Sequence, residues 1–170
     1  MKEKKVLKPE EWDFNVFTGI GKDWMLITAG NEKKCNAMTA AWGGFGVFWQ
    51  KNIAFIGVRS QRYTREFIDK HGAFSLTFFP PSYKKTLAYL GSVSGRNEDK
   101  IDKSGLTLTY HSDGTPYFEE AHTTVICKPL YVQRQNAEAF LDRTLIEEWI
   151  AEGDFHYVYY AEIMAILQNK

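Results

Sequence analysis

Five short segments rich in β-branched and aromatic residues set the main constraint on how this chain folds. They lie at 24–29, 53–58, 73–79, 123–132 and 157–167. Their short length and their composition favour strands over helices. Because they do not alternate regularly with helices, a doubly wound parallel sheet is disfavoured. We expect a mainly β fold, a closed antiparallel barrel with helices in its connections.

Helical patterning occurs in the connections between these segments. Three helices are predicted at 64–71, 82–90 and 97–104. Each is followed by a residue that readily adopts the left-handed conformation of a helix end, namely Gly72, Gly91 and Gly105. A fourth helix is predicted at 137–150, where apolar residues recur at roughly helical spacing.

Length and charge narrow the class of protein. The 170 residues show no linker and no internal repeat, so residues 1–170 are expected to form a single domain. Lys plus Arg equals Asp plus Glu at 21 each, which argues against nucleic acid or a membrane as a partner, and any anion site has to be local. With no apolar run after the charged N-terminus, the sequence predicts a cytoplasmic protein.

Several kinds of catalytic site lack support in the sequence. Cys35 and Cys127 form no C-x-x-C pair and are expected to be free thiols. The histidines share no metal-ligand spacing, so no metal is expected; they stand at 71, 111, 122 and 156. There is no G-x-S-x-G nucleophile motif either. Cys35 is either redox-active or simply a small buried thiol.

A local anion site is predicted where a strand leads into a helix, at residues 58–64. Arg59 follows the strand, and Arg62 and Thr64 stand where the helix begins. A helix N-terminus offers unpaired N–H groups, and arginine supplies forked donors that match phosphate oxygens. The alternative is that both arginines are solvated surface cations and Thr64 only caps the helix.

Three other segments have both a functional and a structural interpretation. The glycines in 36–49 either let a flat ligand approach the backbone or form turns and bulges. The turn at 94–100 carries a hydroxyl and cations that either meet a ligand or are solvated. His156 is either a structural histidine or, beside a carboxylate at a strand end, a proton carrier or ligand-positioning group.

In order along the chain, these segments form a recognisable series. It reads N-A-M-T-A-x-W-G-G from position 36, V-R-x-Q-R-Y-T from 58, S-G-R-x-x-D-K from 94, G-T-P-Y-F-E-E from 114 and G-D-x-H from 153. The series resembles the flavin reductase-like family of FMN-binding split barrels. The resemblance implies a homodimeric split β-barrel that holds FMN near the subunit interface, with NADH or NADPH as the hydride donor.

The resemblance also implies roles for particular residues. Those expected along the ring and ribityl chain of FMN are Asn36, Met38, Thr39, Ala40, Ala41 and Trp42. Those expected around the phosphate are Arg59, Ser60, Arg62, Tyr63 and Thr64. Ser94 and Lys100 are further flavin contacts, and Lys100 is the candidate stabiliser of charge on the reduced ring. His156 is a candidate catalytic residue near the nicotinamide or the flavin face. Ala41 departs from the family, in which many members have serine.

Three functions are compatible with this sequence. The first is an FMN-binding oxidoreductase that takes hydride from NAD(P)H and passes electrons to an unknown small-molecule or protein acceptor. The second is a flavoredoxin-type FMN electron carrier, or a flavin-binding sensor, without its own nicotinamide site. The third is a barrel of the same fold that binds another phosphorylated ligand.

Overall fold

The computed structural model describes residues 4–150 and 153–169. Its strands are β1 (Lys4–Leu7), β2 (Met25–Gly30), β3 (Cys35–Ala40), β4 (Gly43–Phe48), β5 (Lys51–Arg59), β6 (Phe74–Phe78), β7 (Leu108–Tyr110), β8 (Pro116–Phe118), β9 (Thr123–Arg134) and β10 (His156–Asn169). Its helices are α1 (Val16–Gly21), α2 (Tyr63–His71), α3 (Lys84–Ser92), α4 (Lys100–Ser104) and α5 (Thr144–Trp149). All five strands predicted from composition are confirmed as β2, β5, β6, β9 and β10.

Eight of these strands form one sheet in which every pairing is antiparallel. Their order is β3-β2-β6-β9-β10-β5-β4, and β1 pairs with β10 beside this path. β7 and β8 form a separate hairpin. The structure is therefore mainly antiparallel β with helices in the connections, as predicted.

The longest strand, β10, pairs along one edge with two different strands, β5 and β1. Its register with β9 shifts between Tyr160 and Ala161 and again between Ile163 and Ala165. Such bulges bend and twist a strand. As a result, its first half pairs with β5 and its last residues pair with β1.

The two strands at the ends of the sheet order are adjacent in the chain. Only Ala41 and Trp42 separate β3 from β4. Because consecutive Cα atoms are about 3.8 Å apart, Ala40 and Gly43 lie within about 11 Å of each other. The sheet must therefore curl until its end strands approach at this corner. The backbone pairings of the described residues do not join β3 to β4, so closure of the barrel stays a prediction.

Two apolar clusters stabilise this curled sheet. Met25, Ile27 and Ala29 of β2 belong to the larger cluster inside the curl. Leu26, on the opposite face of the strand, belongs to a second cluster beneath α3 and the β7–β8 hairpin. Trp12 stacks on Phe14 with ring centroids 4.4 Å apart at the edge of the larger cluster. The central strands are thus covered on both faces.

Two of the three predicted glycine helix stops are confirmed. Gly72 and Gly105 follow α2 and α4 with φ values of 65° and 71°. The stop at Gly91 is wrong, because α3 continues to Ser92. A Cβ at Gly91 would lie 3.0 Å from the Cβ of Thr39, so this glycine allows helix and strand to approach closely.

The fourth predicted helix, 137–150, is also wrong as one continuous element. The structure has a 3₁₀ turn at Ala137–Ala139 and then the short helix α5. Between them, the Asp142 carboxylate accepts hydrogen bonds from the backbone N–H and the hydroxyl of Thr144, at 3.0 and 2.7 Å. This local turn competes with a continuous helix. None of the described helices is long and apolar enough to cross a membrane.

Candidate functional site

The end of β5, the start of α2 and the turn after α3 surround a cavity of about 630 Å³. Four cationic side chains line it, those of Arg59, Arg62, Arg96 and Lys100. Among its described lining residues there is no carboxylate. The other lining residues are Asn36, Met38, Gln61, Tyr63, Thr64, Gly91, Ser92, Val93, Ser94 and Gly95. This balance of charge suits an anionic ligand.

A buried polar pair forms part of the cavity wall. The Asn36 amide on β3 donates a 2.8 Å hydrogen bond to the Thr64 hydroxyl on α2. Both side chains are buried, so the bond fixes the strand against the helix. Thr64 does not cap α2, because the N-cap position belongs to Arg62.

Arg62 stands at the beginning of α2 and reaches the end of α3. Its Nη1 donates a 2.9 Å hydrogen bond to the carbonyl of Gly91. Burial, and then the neighbouring Arg59, lower the pKa of Arg62. The guanidinium stays charged, and the proximity of two cations favours the binding of an anion between them.

Lys100 is a buried cation at the first position of α4. It is 3% exposed, and its Nζ donates hydrogen bonds to the carbonyls of Leu90 and Val93 at 2.8 and 3.0 Å. Burial, followed by the charge of Arg62, lowers its pKa to about 8. Two of its three N–H groups therefore hold the end of α3, and its charge is lost at an unusually low pH.

Arg59 and Ser60 are held by a carboxylate. Arg59 Nε lies 2.7 Å from the Oδ2 atom of Asp154, and Gln61 Nε2 lies 2.8 Å from the same atom. The backbone N–H of Ser60 donates to Asp154 Oδ1 at 3.2 Å, and its hydroxyl also donates to that oxygen. Three consecutive residues, the last of β5 and the two that follow it, thus converge on one side chain.

The Tyr63 ring contacts two cations. The guanidinium carbon of Arg96 is 4.5 Å from its centroid, and Lys34 Nζ is 5.6 Å from it. Arg96 also donates to the Gln61 carbonyl at 3.0 Å and pairs with Glu66. These contacts attach the turn after α3 to the beginning of α2.

A smaller cavity of about 260 Å³ adjoins the first, with Met38, Arg59 and Arg62 lining both. Its remaining lining residues are Thr39, Ala40, Trp42, Gly57, Trp149 and His156. The Trp42 ring lies 5.0 Å from the His156 ring and 5.5 Å from the Trp149 ring. A compartment with two tryptophans in its wall therefore lies beside the cationic one.

His156 is the one histidine among the described residues that line the smaller cavity. Its side chain is 6% exposed, and its Nδ1 atom has no hydrogen-bond partner among the described residues. Burial, and then the charge of Arg59, lower its pKa below the ordinary 6.5. The ring is therefore neutral at pH 7, with one N–H and one acceptor nitrogen.

Most of the residues singled out from the sequence line one or both of these cavities. They are Asn36, Met38, Thr39, Ala40, Trp42, Arg59, Arg62, Tyr63, Thr64, Ser94, Lys100 and His156. Ala41 and Ser60 line neither cavity. The Thr39 hydroxyl donates to the Leu87 carbonyl, and the Ser94 hydroxyl oxygen accepts from the N–H of Arg96.

Gln61, Arg96, Trp149 and Asp154 are among the residues at the site that the sequence analysis does not assign to it. Gln61 and Arg96 stand inside the motifs at 58 and 94, and their position there is the sequence feature that could have assigned them to the site. Asp154 stands in the G-D-x-H motif, but nothing in the sequence indicated its contacts with residues 59–61. Trp149 carries no such signal. Over residues 4–150 and 153–169, no group of three or more potential metal ligands is found.

Comparison with known proteins agrees with the motif series. The sequence model of one protein family, described as the flavin reductase like domain, matches residues 18–167 of this chain. The chain belongs to the flavin reductase-like family. A search of curated proteins finds none whose sequence matches this chain.

Solved structures similar to this family member share its fold. A flavoredoxin from Methanosarcina acetivorans is 25% identical, with a TM-score of 0.67, over 87% of this chain and 69% of that one. An FMN-binding protein from Thermus thermophilus, solved with bound p-hydroxybenzaldehyde, is 20% identical, with a TM-score of 0.69, over 100% of this chain and 83% of that one. The FMN-binding domain of a flavin reductases-like enzyme from Shewanella baltica OS155 is 15% identical, with a TM-score of 0.72, over 99% of this chain and 78% of that one.

Proposed function

We propose that this protein is an FMN-binding oxidoreductase that accepts hydride from NADH or NADPH and passes electrons to a further acceptor. One observation carries the proposal: a cavity lined by four cations opens beside a compartment walled by two tryptophans. A flavin mononucleotide has the corresponding two parts, a phosphate and a flat tricyclic ring.

The cationic cavity suits a phosphate. A phosphomonoester carries about −1.5 to −2 charges near neutral pH, which two arginines balance. Arg62 and the N-terminus of the nine-residue helix α2 supply donors on one side, and Arg96 and Ser94 supply them on the other. Lys100 was expected to stabilise charge on the reduced ring. It lines this cavity and not the smaller one, so its positive charge is proposed to stabilise the phosphate instead.

The smaller compartment suits a flat ring. Met38 and Ala40 lie on β3 at one wall, while Trp42 and Trp149 offer aromatic surface against which a ring can pack. When bound, the flavin supplies the hydride-accepting nitrogen. His156, whose neutral ring lines this compartment, is proposed to orient the nicotinamide ring by a hydrogen bond from Nε2.

An exposed aromatic cluster supports the homodimer. Phe48, Trp49, Phe55, Tyr131 and Tyr160 form this outer aromatic cluster on β4, β5, β9, β10 and the β4–β5 turn. Trp49 is 52% exposed in the single chain. Contiguous aromatic surface is typical of interfaces, so a second copy is proposed to cover it. We further infer that the curled sheet is a closed split barrel with FMN near that interface.

A flavoredoxin-type electron carrier, or a sensor, is the second candidate function. The observation that favours it is the 25% identity to the flavoredoxin from Methanosarcina acetivorans. In that case the same residues bind FMN, but the smaller compartment receives no nicotinamide.

Two measurements test these functions. We expect the purified protein, loaded with FMN, to show flavin absorption bands that are released on denaturation. A protein that shows no change in the flavin spectrum on addition of FMN contradicts the cofactor and favours another phosphorylated ligand. Stopped-flow mixing with NADH and with NADPH then separates enzyme from carrier. Flavin that stays oxidised with both donors contradicts the enzyme and leaves the carrier.

A further inference from the structure

The end of β5 and the loop that leads to α2 form a complete anion site, which holds an anion of the chain itself. Four donors meet the Asp154 carboxylate: Arg59 Nε, Gln61 Nε2, and the N–H and hydroxyl of Ser60. An ionised carboxylate has about four lone-pair positions. The donors therefore saturate this carboxylate.

These donors are the same groups that a phosphate selects. Guanidinium, backbone N–H and hydroxyl groups bind phosphate and carboxylate oxygens in the same way. Two of the three residues, Arg59 and Gln61, line the larger cavity. An anion in that cavity therefore meets donors that Asp154 already occupies.

Asp154 is anionic at neutral pH. Burial acts to raise its pKa, but the hydrogen bonds from Ser60, Gln61 and Arg59 outweigh this effect and lower the pKa overall. Its side chain is 14% exposed, so water screens the charge only in part. A phosphate that approaches the same donors meets both competition and like-charge repulsion.

Building on the proposed function, we propose that Asp154 is an internal competitor of the flavin phosphate. Carboxylate and phosphate occupy the donors of Arg59 and Gln61, the two of these residues that line the cavity, in turn. Arg62 and Arg96 remain to attract the phosphate while Asp154 holds Arg59. Asp154 therefore lowers the selectivity for FMN over riboflavin and keeps FMN an exchangeable ligand rather than a permanently held group.

Asp154→Asn and Asp154→Ala test this proposal, since each removes the charge of the competitor. We expect the affinity for FMN to rise about 5- to 50-fold and its dissociation to slow, because both competition and repulsion are lost. Riboflavin has no phosphate, so its affinity should change by less than about twofold. Glu138→Gln, which removes an exposed carboxylate from the same β9–β10 connection, should change neither affinity.

Three results overturn the proposal. Weaker FMN binding by both variants shows that Asp154 positions Arg59 for the phosphate. Equal changes in the affinities for FMN and riboflavin show a general structural effect. Unchanged affinities show that the carboxylate does not compete with the phosphate. Should the variants fail to fold, a crystal structure of the FMN-bound wild-type protein decides. The 2.7 Å contact between Arg59 and Asp154 should then be broken, and its retention overturns the competition.

Inorganic phosphate separates this proposal from the proposed cofactor. If neither wild type nor variants bind FMN, the proposed function is refuted. Thermal stabilisation by phosphate still tests the competition, and it should be greater for Asp154→Asn than for wild type. Equal stabilisation overturns the competition.

Discussion

The side chains of Asn36 and Thr64, 28 positions apart, form a buried hydrogen bond that joins β3 to α2. A third segment approaches the same point. A Cβ at Gly95 would lie 2.0 Å from Asn36 Oδ1, so only glycine fits in the turn after α3. Asn36 is thus the place where strand, helix and turn come together around the larger cavity.

Replacing Asn36 by alanine should lower the free energy of unfolding by about 1–3 kcal/mol, because the Thr64 hydroxyl loses its buried partner. Thr64→Val should have a similar effect. The double variant should lose less than the sum of the two, which urea unfolding of all four proteins can measure. Strict additivity would show that the bond contributes nothing specific.

Arg62→Ala should weaken FMN binding by about 1.5–3 kcal/mol, or about 10- to 150-fold, since a charge-assisted hydrogen bond to the phosphate is lost. Fluorescence titration with FMN and riboflavin measures this effect. Riboflavin affinity should change little. Arg143→Ala is the matched control, because Arg143 is exposed on the β9–β10 connection. Unchanged FMN affinity in Arg62→Ala would place this arginine outside the phosphate site.

His156→Ala should leave FMN affinity within about twofold but slow flavin reduction by NAD(P)H at least about tenfold, because the orienting hydrogen bond is removed. Gln has an amide nitrogen near the position of the imidazole Nε2, so His156→Gln should restore part of the rate. Stopped-flow reduction measures both variants. Loss of FMN from His156→Ala would instead show that this residue holds the cofactor.

FMN affinity should fall, by about fivefold, as the pH rises through about 8. The pKa of Lys100 in the folded protein is lowered from the usual 10.5 to about 8. The ammonium and its attraction for an anion are therefore present below about pH 8 and are lost above it. Lys100→Met should bind FMN more weakly at pH 7 and show no such decline between pH 7 and 9. A decline of the same size in the variant would assign it to another group.

Trp49→Glu should convert a dimer into a monomer, because it places a charge within the outer aromatic cluster. Light scattering after size-exclusion chromatography measures the mass. Phe17→Glu is the control, since Phe17 is an 86% exposed aromatic on α1, outside the cluster. A wild-type protein of monomer mass would contradict the homodimer directly.

Local composition predicted those strands that carry their own signal. β6 and β9 are rich in β-branched and aromatic residues and were recognised. β3 and β4 read CNAMTA and GGFGVF, which have little intrinsic preference for strands. Their pairing with β2 and β5 makes them strands, and such tertiary pairing is not visible in a single segment.

The candidate site could be predicted where its residues belong to motifs, and not where chain folding brings distant residues together. Residues from the motifs at 36, 58, 94 and 153 meet in the two adjoining cavities. The contacts of Asp154 with Ser60 span 94 positions. Trp149 reaches Trp42 only through the β9–β10 connection, which was predicted as one long helix.

The two-residue link between β3 and β4 restricts how this corner can evolve. An insertion there would separate the strands at the two ends of the sheet and shift the predicted flavin motif at the same time. We therefore expect Ala41 and Trp42 to keep their spacing, both for folding and for the proposed recognition of the ligand.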